Sequence, residues 1–485
     1  MATTERKTEA GMEVQRHGIM YLLSSAGITA IGFIATIFYA HWVGAAVLGA
    51  YFVFLSFFNI LSIFTDLGIG TAATQRICEG REASQYFTAN LTIRLGLYLI
   101  VCIVAIIFHD RFAGLNDTGL FWLLLLVLGV STLSSGLSIS LCASNRLGLL
   151  ATVSLLDNIT RIVIQVITVF LGYAVYGLIG GLIAGLLIEI IIQARFIDYH
   201  LRKFDLSHIK RIFSFSSWAF LSSTSTVLFD NANLLIIAYF LPISDAGIFG
   251  ICWTFSVFAL FVSTALCNTL YVKVSRWHAA GEHDLIAQSL SRATTYSLIV
   301  AIPMVAGGIL LGKPLLYFLY GASFATGAAA LVIIITARIF QSVYQLYSIY
   351  LMATDHAHMA FYGIGTGITV NIILSLILVP ALGLTGAAIA SLANVLICIL
   401  VGRHFLRKIV PVAIERSPVI HIVAASAIMT IVLVIAGLVP VQESAFTTGA
   451  RVILGAGVYF IVLLTMDKPL RDDAFRTLKI QWLPQ

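Results

Sequence analysis

The chain has 485 residues, of which 60% are hydrophobic and only 10% charged, and its mean hydropathy is +1.00. A soluble domain with a charged surface does not reach such values, so the composition points to a polytopic membrane protein. The formal net charge of +6 does not call for a nucleic-acid partner, because the excess positives sit in short connections where they face anionic lipid headgroups.

Residues 1–17 carry both signs of charge (Glu5, Arg6, Lys7, Glu9, Glu13 and Arg16) and are read as a cytoplasmic segment. Apolar runs then follow at 18–40, 47–67, 89–108, 120–142, 151–171 and 175–196, and together they form an N-lobe over 18–196. A basic cytoplasmic linker at 197–212 leads to runs at 213–241, 247–271, 289–311, 327–352, 359–379 and 384–406, a C-lobe over 213–406. The runs at 417–439 and 449–466 make a C-terminal helix pair within 407–466, and 467–485 is a cytoplasmic tail. At a rise of about 1.5 Å per residue each run crosses a hydrocarbon layer of about 30 Å as a helix. The predicted fold class is therefore all-α, with about fourteen transmembrane helices in two pseudo-symmetric six-helix lobes plus a helix pair.

Sidedness follows from Lys and Arg in alternate connections, since positive residues are retained in the cytoplasm. Twenty-one fall on one side, from Arg6 to Lys479, against Arg111 and Lys313 on the other and Arg451 at a margin. Both termini are thereby placed in the cytoplasm, for a multi-pass protein of the cell (inner or cytoplasmic) membrane.

Two lobes are also expected from an internal repeat. WVGAAVLGAYFVF, from Trp42, matches FLPISDAGIFGIC, from Phe240, and aligns Gly49 with Gly247. YGLIGGLIAG, from Tyr176, matches LGLTGAAIAS, from Leu382, and the two offsets are 198 and 206 residues. Small residues let helix backbones approach in lipid, which is the preferred account of Gly181, Gly185, Gly363, Gly365 and Gly367; the last three could also let their helix bend.

Several motifs lead nowhere. Gly307, Gly312 and Lys313 imitate a phosphate-binding loop, but Pro314 takes the Ser/Thr position and no strand precedes it. His356 and His358 lack further ligands, and the six cysteines show no disulfide or metal spacing, so neither a metal nor a catalytic residue is expected. The outer connections at 109–119 and 312–326 are too short for a glycan polymerase or ligase.

FTDLGIGTAATQRI from Phe64, the segment from Leu315 through ATDH, and VNIILSLILVPALGLTGAAIASLANVL from Val370 resemble a known family. It is that of the polysaccharide-biosynthesis (O-antigen type) flippases, within the multidrug/oligosaccharidyl-lipid/polysaccharide exporter superfamily. The resemblance covers essentially the whole chain. It implies alternating access by two lobes and movement of a polyprenyl-pyrophosphate-linked oligosaccharide to the outer leaflet. It also implies an ion gradient (H⁺ or Na⁺) as the only cofactor, with membrane lipids, a glycan polymerase and export machinery as partners. The alternative it leaves is a cation-coupled multidrug or metabolite exporter.

Charges inside the runs are the candidate site residues. Arg161 lies about 15 Å into its span and Arg338 about 16 Å, where a lipid-facing charge costs at least about 2.5–3.5 kcal/mol. Arg338 either attracts a pyrophosphate or acidic sugar, or pairs with Asp230; Arg161 either binds substrate or pairs with Asp157, one turn earlier. Glu189 pairs across helices, stays protonated or takes part in ion coupling. Arg94, near the cytoplasmic interface with Asp66 and Arg292, either snorkels or guides the headgroup. The polar run holding Ser222, Thr226, Asn231 and Asn233 suggests a cavity lining. Tyr344 and Tyr347, on a stripe with Tyr350, either stack on sugars or pack in the core.

Overall fold

The computed structural model describes residues 2–80, 82–112, 119–144, 146–197, 199–411, 415–439, 442–467 and 470–471, and the regular structure among them is helical. Within lipid this is what backbone hydrogen bonding requires, since water is not there to satisfy N–H and C=O groups.

The first helix, α1 (Ala2–Asp66), joins the first two apolar runs. Gly44 leaves the helical region, with φ 74° and ψ 178°, a conformation that the missing Cβ permits. The helix ends at Asp66, beyond which Leu67 and Gly68 take φ values of 45° and 73°. The Asp66 carboxylate then accepts the N–H groups of Gly68 and Gly70, each at 3.2 Å, and so caps the short α2 (Ile69–Cys78). Four further helices, α3 (Ala83–Ile107), α4 (Leu120–Ala143), α5 (Leu147–Phe170) and α6 (Ala174–Arg195), fall on predicted runs. Close approach of α5 and α6 depends on Gly181 and Gly185: a Cβ on the first would overlap Gln165, and one on the second the Asp157 carboxylate.

The connection after α6 is stitched to its neighbours. Arg146 donates to the Phe196 carbonyl at 3.1 Å and the Arg202 N–H to the Thr88 hydroxyl at 3.0 Å. A capping box between Asp205 and His208 then starts α7 (Leu206–Phe240). Ile212 of α7 is buried with Ile69, Ala73, Tyr86 and Phe87 of α2 and α3. Arg211 donates to the Tyr86 hydroxyl at 3.3 Å, a bond that raises the guanidinium pKa further.

The chain forms two compact units, Met1–Gly247 and Ile248–Gln485. These units and the sequence repeat divide the chain at different points. The repeat puts the joint at 197–212 and opens the second lobe with the helix at 213–241, whereas α7 packs on α1, α2 and α3. The stitched connection and the shared core around Ile212 are the physical reason.

In α8 (Ile243–Ser256) the chain passes from one unit to the next and runs through a single 3-10 turn, Val257–Leu260, into α9 (Phe261–Ala279). Six longer helices follow: α10 (His283–Tyr320), α11 (Ala328–Ala353), α12 (Ala357–Leu382), α13 (Leu384–Leu406), α14 (Arg416–Leu438) and α15 (Ala445–Met466). In the second unit α12 lies along α13, α11 packs on α10 and α13, and α14 packs on α15 and α10. Gly363 rests against the Tyr344 ring and Gly367 against Asn394 and Cys398. The helix is unbroken through the glycine trio, and close packing accounts for Gly363 and Gly367.

Twelve described stretches are long and apolar enough to cross a membrane; dividing α1 at Gly44 and adding the 35-residue α7 brings the tally to the expected fourteen.

Candidate functional site

Arg94, on α3, is 5% exposed. Its Nε donates to Asn90 Oδ1 at 3.1 Å, its Nη1 to the Ser135 hydroxyl at 2.6 Å, and its Nη2 forms an ion pair with Asp66. Since Asp66 also caps α2, this guanidinium ties the α1–α2 break to α3 and α4. All three of its nitrogens are engaged within the protein. The structure therefore makes Arg94 a clamp, where the sequence offers it as a snorkelling residue or a headgroup guide.

The α5–α6 seam holds the next cluster. Arg161 is half-buried and its Nη2 donates to Asn158. Asp157 does not follow the helical-spacing expectation: its Oδ1 is buried without a hydrogen-bond partner and lies against Gly185. The close α5–α6 approach draws the carboxylate into the seam, while Arg161 finds a nearer acceptor on its own helix. Glu189, one turn beyond Gly185, accepts a hydrogen bond from Gln193 at 2.9 Å.

A polar centre that sequence reasoning missed adjoins this cluster. The Tyr39 hydroxyl donates to Gln165 Oε1 at 2.9 Å, and Gln165 Nε2 donates to the Tyr51 hydroxyl at 3.1 Å and the Leu178 carbonyl at 2.7 Å. One buried amide thus binds both arms of α1, on either side of Gly44, and the backbone of α6. The signal was present: Gln165 is an uncharged polar residue one turn from Arg161 inside an apolar run.

On α7, Asn231 accepts from Asn59 Nδ2 at 3.1 Å and donates to the Val227 carbonyl at 2.8 Å. Asn231 and Asn233 are buried, whereas Thr226 and Asp230 are exposed. Asn231 thus serves the α1–α7 contact, and Thr226 and Asp230 lie on the exposed side of the helix. The side chain of Ser222 lies outside those the structure describes.

In the second unit Arg338 is 2% exposed. Its Nε donates to the Ser256 hydroxyl at 2.9 Å and its Nη1 to Gln341, and its guanidinium carbon sits 4.0 Å from the centre of the Trp253 ring. Hydrogen bonds and an aromatic face thus offset the desolvation of a charge at mid-membrane depth. Asp230 belongs to the other compact unit.

The tyrosine stripe is core. Tyr344 donates to the Ala360 carbonyl at 2.9 Å, Tyr350 lies 2.6 Å from the Ser289 hydroxyl, and Tyr347 is buried among Leu298, Leu311 and Leu406. Of the two alternatives for Tyr344 and Tyr347, stacking on sugars or packing in the core, their burial favours the core, with Gly363 and Gly402 against the Tyr344 ring.

The arrangement offers charge and hydrogen bonding at membrane depth. Among the described residues no three His, Cys, Asp or Glu side chains come together as metal ligands.

Comparison with known proteins agrees with this architecture. The model of the polysaccharide biosynthesis protein family matches residues 43–329. The chain is 24% identical to the probable low-salt glycan biosynthesis flippase Agl15 of Haloferax volcanii over 473 residues, 96% of this chain and 99% of that one. It is 22% identical to the probable flippase AglR of the same organism, covering 92% and 94% of the two chains. Among solved structures it resembles the lipid II flippase MurJ in an inward closed conformation, with a TM-score of 0.75, 19% identity and coverage of 93% and 99%. An inward-facing multidrug resistance MATE family transporter of the MOP superfamily matches with a TM-score of 0.59 and 16% identity over 80% and 98%.

Proposed function

Because this chain belongs to the polysaccharide biosynthesis protein family, we propose that it is a flippase for a polyprenyl-pyrophosphate-linked oligosaccharide. In this reading the substrate moves from the cytoplasmic to the outer leaflet by alternating access. The observation that carries it is the end-to-end match to a glycan biosynthesis flippase, 96% of one chain on 99% of the other. A flippase must carry a charged diphosphate and its sugars through about 30 Å of hydrocarbon, and buried polar groups are what such passage requires.

The charged residues divide the work. Arg161, half-buried in the α5–α6 seam, is the cation best placed to meet a diphosphate at mid-depth. Arg338 is held by Ser256, Gln341 and Trp253, so it acts on substrate through the field it sets rather than by contact in this conformation. Asp157 and Glu189 are the carboxylates suited to an ion-coupling step with H⁺ or Na⁺, since Asp157 Oδ1 lacks a donor and a proton or cation would complete it.

The test is a leaflet assay. Depletion of the protein should trap lipid-linked glycan on the cytoplasmic leaflet, and the purified chain in vesicles should restore its access to an outside probe. Likeness to the MATE transporter supports a second reading, a cation-coupled drug or metabolite exporter. Unchanged glycan display with altered drug sensitivity would favour that one and sink the first.

A further inference from the structure

The 198-residue offset that pairs Gly49 with Gly247 extends into the next helix of each half. It aligns Ala89 with Ala287, Asn90 with Gln288, Arg94 with Arg292 and Tyr98 with Tyr296, placing the two arginines at equivalent points of α3 and α10. The same offset carries Asp66, the carboxylate that binds Arg94, onto Thr264. The second half has therefore kept the arginine and lost its counter-ion. It has also lost the helix break that the counter-ion caps, because α9 runs from Phe261 to Ala279 as one helix.

The structure bears out the consequence for the side chain. The Arg94 side chain is 6% exposed and held by three partners, whereas that of Arg292 is 68% exposed and its ion-pair contact is Glu415 at 3.9 Å. That separation is beyond hydrogen-bond length, and Glu415 itself is 42% exposed. Gln288, one turn before Arg292, is exposed as well. Arg416, also exposed, follows Glu415 directly, so the three groups carry a net positive charge.

Depth selects the ligand. Arg292 stands three residues inside the apolar run that begins at 289, about 5 Å along the helix, from where a long arginine side chain snorkels back to the level of lipid phosphates. An arginine there, exposed and with one contact at 3.9 Å, can form the forked hydrogen bonds that phosphate oxygens accept.

We infer that Arg292 is a binding residue for the diphosphate of the lipid-linked substrate at the cytoplasmic surface, acting before the substrate reaches the mid-membrane charges. This rests on the flippase reading above. It assigns the repeat-related arginines opposite tasks: Arg94 holds the fold and Arg292 holds the cargo. Glu415 competes with the ligand for Arg292.

Competition makes the proposal testable. The full chain in phosphatidylcholine nanodiscs is titrated with fluorescent undecaprenyl diphosphate, comparing wild type, Arg292→Gln and Glu415→Gln. Arg292→Gln should weaken binding roughly tenfold, the loss expected for one charged hydrogen-bonding group, with unfolding temperature unchanged; Glu415→Gln should tighten it. If Arg292 and Glu415 form only a structural ion pair, both variants weaken binding or stability alike, which overturns the proposal. Repeating the titration with phosphatidylglycerol added separates the lipid sources. A wild-type advantage that survives supports the diphosphate, and one that vanishes shows a general headgroup site and overturns the assignment. Unaltered binding in Arg292→Gln sinks the inference while leaving the flippase reading intact, whereas a wild type that binds no lipid diphosphate removes both.

Discussion

Replacing Arg94 with Gln leaves the Asp66 carboxylate with two backbone N–H donors and no cation. Removing one partner of a fully buried ion pair costs about 3–5 kcal/mol. The Asp66 side chain is 34% exposed, against 6% for Arg94, and retains part of its hydration, so the expected loss is about 2–3 kcal/mol. The assay is unfolding of the purified protein in detergent, run as a double-mutant cycle with Asp66→Asn. Asp66→Asn on the Arg94→Gln background should recover about 1 kcal/mol, because the stranded charge is gone. Arg292→Gln serves as the control and should change stability by less than about 0.5 kcal/mol, as expected for an exposed pair. An Arg94→Gln protein of unchanged stability that no longer binds lipid diphosphate would refute the clamp and make Arg94 a substrate contact.

Gly185→Ala should destabilise by about 1–3 kcal/mol, because its Cβ would overlap Asp157 Oδ1 and lie 3.0 Å from the Asp157 carbonyl; Asp157→Ala should relieve part of this in a thermal melt. Trp253→Leu removes the ring 4.0 Å from the Arg338 guanidinium, and should lower stability by about 2 kcal/mol, with a smaller effect when Arg338 is already Met. Tyr344→Phe deletes the bond to the Ala360 carbonyl and should cost about 1 kcal/mol. Its half-saturating lipid diphosphate concentration should stay at the wild-type value, whereas a tenfold rise would return Tyr344 to the binding surface.

The membrane spans were legible because hydrocarbon solvates nothing polar, so composition alone marks the runs that became α3 to α6 and α10 to α15. Partner choice was not legible. Asp157 and Arg161 have ideal spacing for a pair, yet Gly185 admits the carboxylate into the seam and Asn158 captures the arginine. Arg94 and Arg292 align in the repeat, but the carboxylate that binds Arg94 lies 28 residues before it and folds back through a break at Leu67 and Gly68 that hydropathy does not register. Likewise the repeat opens the second lobe at 213, whereas α7 packs on α1, α2 and α3 behind a connection tied by Arg146 to the Phe196 carbonyl and by the Arg202 N–H to Thr88. The tyrosine stripe followed helical spacing correctly; which neighbours cover that face is a tertiary property.

The Gln165 amide has a mechanical consequence. Its oxygen is committed to Tyr39 before Gly44, and its nitrogen to Tyr51 after it and to the α6 backbone. Each hydroxyl bond is worth about 0.5–1.5 kcal/mol net and weakens steeply as it lengthens or bends. Any change of bend at Gly44 that moves the two hydroxyls apart therefore costs at least one of them while the amide remains bonded to the Leu178 carbonyl. One side chain thereby couples the angle of the α1 joint to the position of α6.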